Sequence, residues 1–196
     1  MNAAKIISYT FHPAVVPTMA LLLYFILLPG PYNPDLRSLV ILIVFLGTYI
    51  IPILSMVLFK QLGLIDSLQV EKVQQRSYPV LLMLVISLVF YYIFAVKFNN
   101  LDLSELYLSS GLSIAVLFFI QLRGYKLSIH MMAFAALLGF VIKLSISYHL
   151  AMLLPIMLIT LLLGLVASAR LSLKAHSAIE VLLGLALGLL PQLLWI

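Results

Sequence analysis

The sequence reads as an all-α, polytopic transmembrane bundle of six or seven spanning helices, with residues 1–196 forming a single integral-membrane domain. Three observations lead there. The first is composition: 65% of the 196 residues are hydrophobic and 9% are charged, against about 45–50% and about 25% in a soluble domain. The mean hydropathy is +1.24. The second is run length, since several apolar stretches approach the roughly 20 residues a helix needs to cross a bilayer core of about 30 Å. The third is pattern. The runs are uniformly apolar, with none of the alternation of a barrel strand, and open backbone is not tolerated in lipid. Too little polar surface exists for a soluble enzyme or a disordered chain. The net charge of +5 is scattered between apolar runs, so it forms no patch for nucleic acid. The chain has no cysteine, which excludes disulfides, thiol catalysis and thiolate metal sites.

The spans follow in order. The first covers 14–28 and ends at Pro29-Gly30-Pro31; Pro13 interrupts the run before it, so no cleavable leader is expected. The second covers 38–59, bracketed by Arg37 and Lys60. A polar stretch, 60–77, carries Asp66, Glu71, Lys72 and Arg76. The third span follows Pro79 and ends before Lys97, and the fourth covers 106–122, closed by Arg123-Gly124-Tyr125-Lys126. The fifth runs from Leu127 to Lys143, whose long stem can snorkel to an interface. The sixth covers 150–167, and the seventh runs from His176 to the C-terminal Trp195-Ile196.

Seven spans put the N-terminus and the 2–3, 4–5 and 6–7 loops on one side. That side holds Lys5, Lys60, Lys72, Arg76, Arg123, Lys126, Arg170 and Lys174; the other holds Arg37, Lys97 and Lys143. The positive-inside rule makes the first side cytoplasmic, and a plasma (inner) membrane location is expected.

Three polar clusters share that side, at the starts of the third, fifth and seventh helices: Lys72 to Pro79, Lys126 to His130, and Ser168 to Glu180. Free N–H groups and the helix dipole favour an anion at such places, and basic side chains suit a phosphate. Lys72 and Arg76 stand four apart, on one face of a helix; they suit either a phosphate clamp or an interfacial pair touching lipid headgroups. His176 and Glu180 are also four apart. A carboxylate there can take the imidazole Nδ1–H and leave the other nitrogen free as base or nucleophile, or the two form a structural pair. An acidic residue inside a span is a functional hypothesis by default. Ser128 suits the N-cap of the fifth helix, with His130 two residues on. His12 and His149 are assigned to the interface.

Rival chemistries lack their residues. The seventh helix has no lysine for a retinal Schiff base, and neither H-E-x-x-H nor G-x-S-x-G occurs. Six acidic residues spread over both sides make no metal cage.

From Lys72 to Glu180 the chain resembles the type 2 phosphatidic acid phosphatase family, membrane relatives of the vanadium haloperoxidases. That family carries, in order, a Lys followed after six residues by Arg-Pro; then P-S-G-H; then S-R, five residues, His, three residues and Asp. Arg170, His176 and Glu180 reproduce the third spacing, with Glu for Asp and with Ser168-Ala169 before Arg170. The second survives as Ser128-x-His130. Of the first, Arg76 is present, with Lys72 four residues before it and Pro79 three after. The resemblance implies a lipid phosphatase without cofactor or metal. It implies that His176 is the nucleophile, held by Glu180, and that His130 is the general acid and base. It makes Lys72, Arg76, Ser128 and Arg170 the phosphate-binding set. The expected partners are membrane lipids and a lipid phosphate monoester or diphosphate. The alternative from another class is a non-catalytic lipid-phosphate binder or transporter that keeps the cations and lacks the chemistry. A third reading is a structural membrane protein with ordinary interface residues.

Overall fold

The structure is a computed structural model and describes residues 3–28, 30, 32–68, 70 and 72–196. These residues form helices and turns with no strand among them. Among the described residues, seven helical spans are long and apolar enough to cross a membrane: Ala3–Leu27, Pro34–Gln61, Val73–Lys97, Leu101–Leu122, Ile129–Ser147, Leu153–Ser172 and Ala178–Trp195. The expected all-α spanning bundle is therefore the fold. Pro29 and Pro31 of the expected turn, and Glu71, lie outside the described residues.

Prolines shape the first three spans. Helix α1 (Ala3–Thr10) precedes the first expected span, and α2 (Val16–Leu27) follows it after a bend. At the bend His12 is extended (φ −66°, ψ 137°), as a residue before proline prefers, and Pro13 opens a short 3₁₀ turn. Proline at a first helical position loses no hydrogen bond, so Pro13 joins two helices where the sequence reading saw only an interruption. In the second span, α3 (Pro34–Phe45) passes through a wide π-turn, Leu46–Ile50, into α4 (Ile51–Gln61). The turn stands just before Pro52, which lacks an N–H, so the ladder relaxes there. In the third, a 3₁₀ turn (Val73–Arg76) leads into α5 (Ser77–Tyr92).

The remaining helices are α6 (Leu101–Leu122), α7 (Ile129–Ser147), α8 (Leu153–Ser172) and α9 (Ala178–Gln192). Side chains cap three of them: Asn100 Oδ1 accepts from Leu103 N (2.9 Å), Ser128 Oγ from Met131 N (3.4 Å), and Ser177 Oγ from Glu180 N (3.3 Å).

Helix α7 is the centre of the bundle. In its apolar window 61% of residues are buried, against 17% in the second span, which faces outward. Phe134, Phe140 and Val141 of α7 pack with Leu21 and Phe25 of α2, Val166 of α8 and Val181 of α9. The α7–α9 contact brings backbone to backbone. A Cβ added at Gly184 would lie 2.6 Å from the Ser128 carbonyl oxygen, and one at Gly188 would collide with the Met132 backbone. Small residues one turn apart thus seat α9 on the first turns of α7, as in close membrane helix pairs. The main-chain N–H of Ser128 reaches across to the Glu180 carbonyl at 3.2 Å.

The far end of the bundle is held by charge. Lys143 does not snorkel to an interface. It is 4% exposed, and its Nζ bonds Asp102 Oδ1 at 2.6 Å and Glu105 Oε2 at 2.5 Å. Because α6 begins at Leu101 and not at 106, both acids fall on its first turns, where they find the lysine. Tyr148 donates its hydroxyl to Asp102 Oδ2 at 2.5 Å, and this bond pushes the phenol above its ordinary range. Asn100 Nδ2 adds bonds to the hydroxyls of Tyr24 (2.9 Å) and Tyr32 (3.1 Å), which ties α2 to the same end.

Lys143→Met would leave the buried Asp102 and the half-buried Glu105 without a counter-ion, and a loss of about 3 kcal/mol is expected in a detergent unfolding titration. Replacing Lys143, Asp102 and Glu105 together with apolar residues should recover most of that loss. A Lys143→Met protein as stable as the wild type would contradict the clamp.

Candidate functional site

At the opposite end from Lys143, the start of α9 sets the first pair. Ser177 and Glu180 form a capping box: Ser177 Oγ accepts from Glu180 N, and Glu180 Oε2 accepts from Ser177 N at 3.1 Å. The same Oε2 lies 2.9 Å from His176 Nδ1. An ionised carboxylate only accepts, so Nδ1 carries the proton and Nε2 keeps its lone pair. Lys126 Nζ stands 3.9 Å from Glu180 Oε2 and donates to the Ala175 carbonyl at 3.4 Å.

His130 sits in the first turn of α7, behind the Ser128 cap. Its Nε2 lies 3.2 Å from the main-chain oxygen of Ser8 in α1. That oxygen can only accept, so Nε2 bears the hydrogen and Nδ1 the lone pair. The charges of Arg170 and His176 both reach His130, which places the two histidines in one electrostatic neighbourhood.

Arg170 lies in the last turn of α8, since that helix runs to Ser172 and not to 167. The third polar cluster therefore straddles a helix end and a helix start. The chain turns between them through Lys174 in the left-handed region (φ 50°), with Ala175 N donating to the Arg170 carbonyl at 3.1 Å. Arg170 Nη1 donates to Ser8 Oγ at 3.3 Å, while its Nε is buried without a hydrogen-bond partner. Arg76, at the end of its 3₁₀ turn, donates Nε to the Val70 carbonyl at 2.9 Å and lies within Coulombic range of both Arg170 and Glu180. Among the described residues, Arg76 and Lys126 thus lie within reach of the Glu180 carboxylate, and Arg170 stands beside Arg76.

Two expected phosphate ligands stand differently from the sequence reading. Lys72 is in extended backbone ahead of the 3₁₀ turn, so it shares no helical face with Arg76. Its Nζ pairs with Asp66 Oδ2 at 2.6 Å on open surface; the lysine is held above, and the carboxylate below, its ordinary range by the other. Ser128 is the N-cap, as expected, but it is fully buried and its oxygen is used by the cap. Two residues join that were not counted as site residues. His12, assigned to the interface, packs edge-on against His130 with ring centroids 5.8 Å apart. Ser8 touches both His130 and Arg170. Neither carries a motif; only the bend at Pro13 brings them in. His149, with φ 53°, stays at the other end beside Tyr148.

Burial lowers the His176 pKa first, Glu180 raises it, and the charges of Arg170 and Lys126 lower it further, for a net value below the ordinary 6.5. The ring is therefore neutral at pH 7. Among the described residues no three His, Asp or Glu side chains gather as metal ligands. In comparisons with known proteins the chain matches no family model, no curated protein and no solved structure.

His176 should titrate below the ordinary histidine range in a histidine NMR titration of the protein in nanodiscs. Lys126→Met removes a positive charge that opposes the imidazolium, so the midpoint should rise. A midpoint that stays put or falls would contradict the electrostatics described.

Proposed function

We propose that the protein is an integral-membrane phosphohydrolase that acts on a lipid phosphate through His176. The observation that carries this reading is the charge and hydrogen-bond imbalance around the His176–Glu180 pair. Arg170 presents a buried guanidinium N–H with no partner, and a second guanidinium, Arg76, stands near enough to repel it. An unpaired buried donor and two like charges are unfavourable alone and are both relieved by one dianion. A phosphate group fits that charge. An almost wholly apolar crevice, lined by Pro13 and Ala14 next to His12, by Ile129 next to His130, and by Met132, and reaching Tyr107, suits the hydrocarbon end of the same molecule.

The chemistry follows from the free nitrogens. The Nε2 lone pair of His176 attacks phosphorus, and the bond to the lipid oxygen breaks. Binding of the phosphate dianion offsets the Arg170 charge beside His130, whose Nδ1 lone pair then takes up a proton from water and passes it to the departing oxygen. A water then attacks the phosphohistidine with Nδ1 of His130 as base, the P–N bond breaks, and phosphate leaves. Arg170 and Arg76 offset charge on the equatorial oxygens. Glu180 fixes the His176 ring throughout. By the excess of basic residues on its side, the site faces the cytoplasm.

A non-catalytic lipid-phosphate binder is the second reading. It is favoured by Lys72, which is paired with Asp66, and by Ser128, which is committed to its cap. The test is purified protein in detergent, given phosphatidic acid, phosphatidylglycerophosphate and a polyprenyl diphosphate, with free phosphate measured. Release from at least one lipid, unaffected by EDTA and abolished in His176→Ala, is expected. Lipid binding without any release would favour the binder.

A further inference from the structure

Residues 3–12 belong to none of the motifs that suggested a phosphatase, yet the backbone of Ser8 reaches the site. Ser8 is buried; its carbonyl oxygen takes the Nε2–H of His130 at 3.2 Å, and its hydroxyl takes a bond from Arg170 at 3.3 Å. The segment is anchored by Phe11, whose ring packs edge-on against Phe134 of α7 with centroids 6.0 Å apart. The next residue, His12, is extended and exposed, and its ring lies edge-on to His130.

The tautomer of His12 can be read from its neighbour. The Ala14 N–H donates to His12 Nδ1 at 3.3 Å. A backbone N–H can only donate, so Nδ1 holds the lone pair and the neutral ring carries its hydrogen on Nε2. The three histidines therefore differ. His176 keeps a lone pair on Nε2, His130 keeps one on Nδ1, and His12 offers a hydrogen. Two rings with free lone pairs repel the oxygens of a phosphate, whereas an N–H attracts them. Arg170 also acts electrostatically on His12, so cation and N–H share one neighbourhood.

We propose that the Ser8–His12 segment is a wall of the anion site and that His12 is a further phosphate-binding residue, donating Nε2–H to a phosphate oxygen. This rests on the reading of the site as a phosphate site, but not on turnover. Ser8 holds His130 in place, and His12 supplies the contact. The ligand is a phosphate group, whether a lipid headgroup or free phosphate.

The experiment measures the thermal stability of the whole protein in detergent against inorganic phosphate and, separately, short-chain phosphatidic acid. Phosphate release is assayed in parallel. Wild type should be stabilised by both ligands; a response to the lipid at lower concentration identifies the headgroup as the natural source. His12→Phe keeps a ring and removes the N–H. It should need about tenfold more of either ligand for the same stabilisation, the loss expected for one hydrogen bond to a charged group. His12→Gln restores a donor and should recover most of the response, which separates a lost contact from a damaged fold. Phosphate stabilisation with the His12→Phe penalty but without lipid hydrolysis would remove the phosphatase reading and leave this one standing. Hydrolysis with His12→Phe indistinguishable from wild type would overturn this inference alone. No stabilisation of the wild type by either ligand would overturn it as well.

Discussion

The carboxylate of Glu180 is the point on which the site depends. One oxygen accepts the N–H of Ser177 and faces Nδ1 of His176, with Lys126 close by. One side chain thus starts a helix, fixes a ring and sets a negative charge beside Lys126 and within range of Arg76. The residue's main chain does further work, because its carbonyl takes the N–H of Ser128, the cap of the neighbouring helix. A longer side chain than aspartate suits this double duty, since reaching back to its own N-cap is what glutamate does in a capping box.

That arrangement exists because two backbones come unusually close. Gly184 and Gly188 have no room for a Cβ against the first turn of α7. The approach sets Ser128 and His130 beside the start of α9, so packing in the apolar layer fixes distances in the polar one. At the other end, Lys143 with Asp102 and Glu105 holds α6 to α7 by charge. A buried ion cluster is weak evidence for stability as such, because desolvation offsets its attraction; its breaking is the large effect. The bundle is therefore pinned at both ends, by close packing and capping at one and by a clamp at the other.

Much of this was legible in the sequence. Run length and uniform apolarity located the spans, and the spacing of four paired His176 with Glu180, although His176 stands ahead of the Ser177 N-cap and not on the helix face. Ser128 read as an N-cap because serine before an apolar helix has that role. Other features were not legible, for physical reasons. The α8 helix ends through Lys174 in the left-handed region, with no glycine to mark it, so Arg170 could not be placed at a helix end. Lys72 and Arg76 have helical spacing, but the segment folds as a 3₁₀ turn and Asp66 takes the lysine. Lys143 read as a snorkelling residue because its partners lie in another helix. Ser8 and His12 reach the site only through the bend before Pro13.

The proposed reaction passes through a phosphoryl group carried on His176. Rapid mixing with a lipid phosphate, quenching in alkali to preserve phosphohistidine, and mass spectrometry of the peptides read this directly. A phosphoryl group on His176 is expected, rising within the first turnover and vanishing once the lipid is consumed. Phosphate release with no phosphohistidine, or with the group on another residue, would contradict the mechanism.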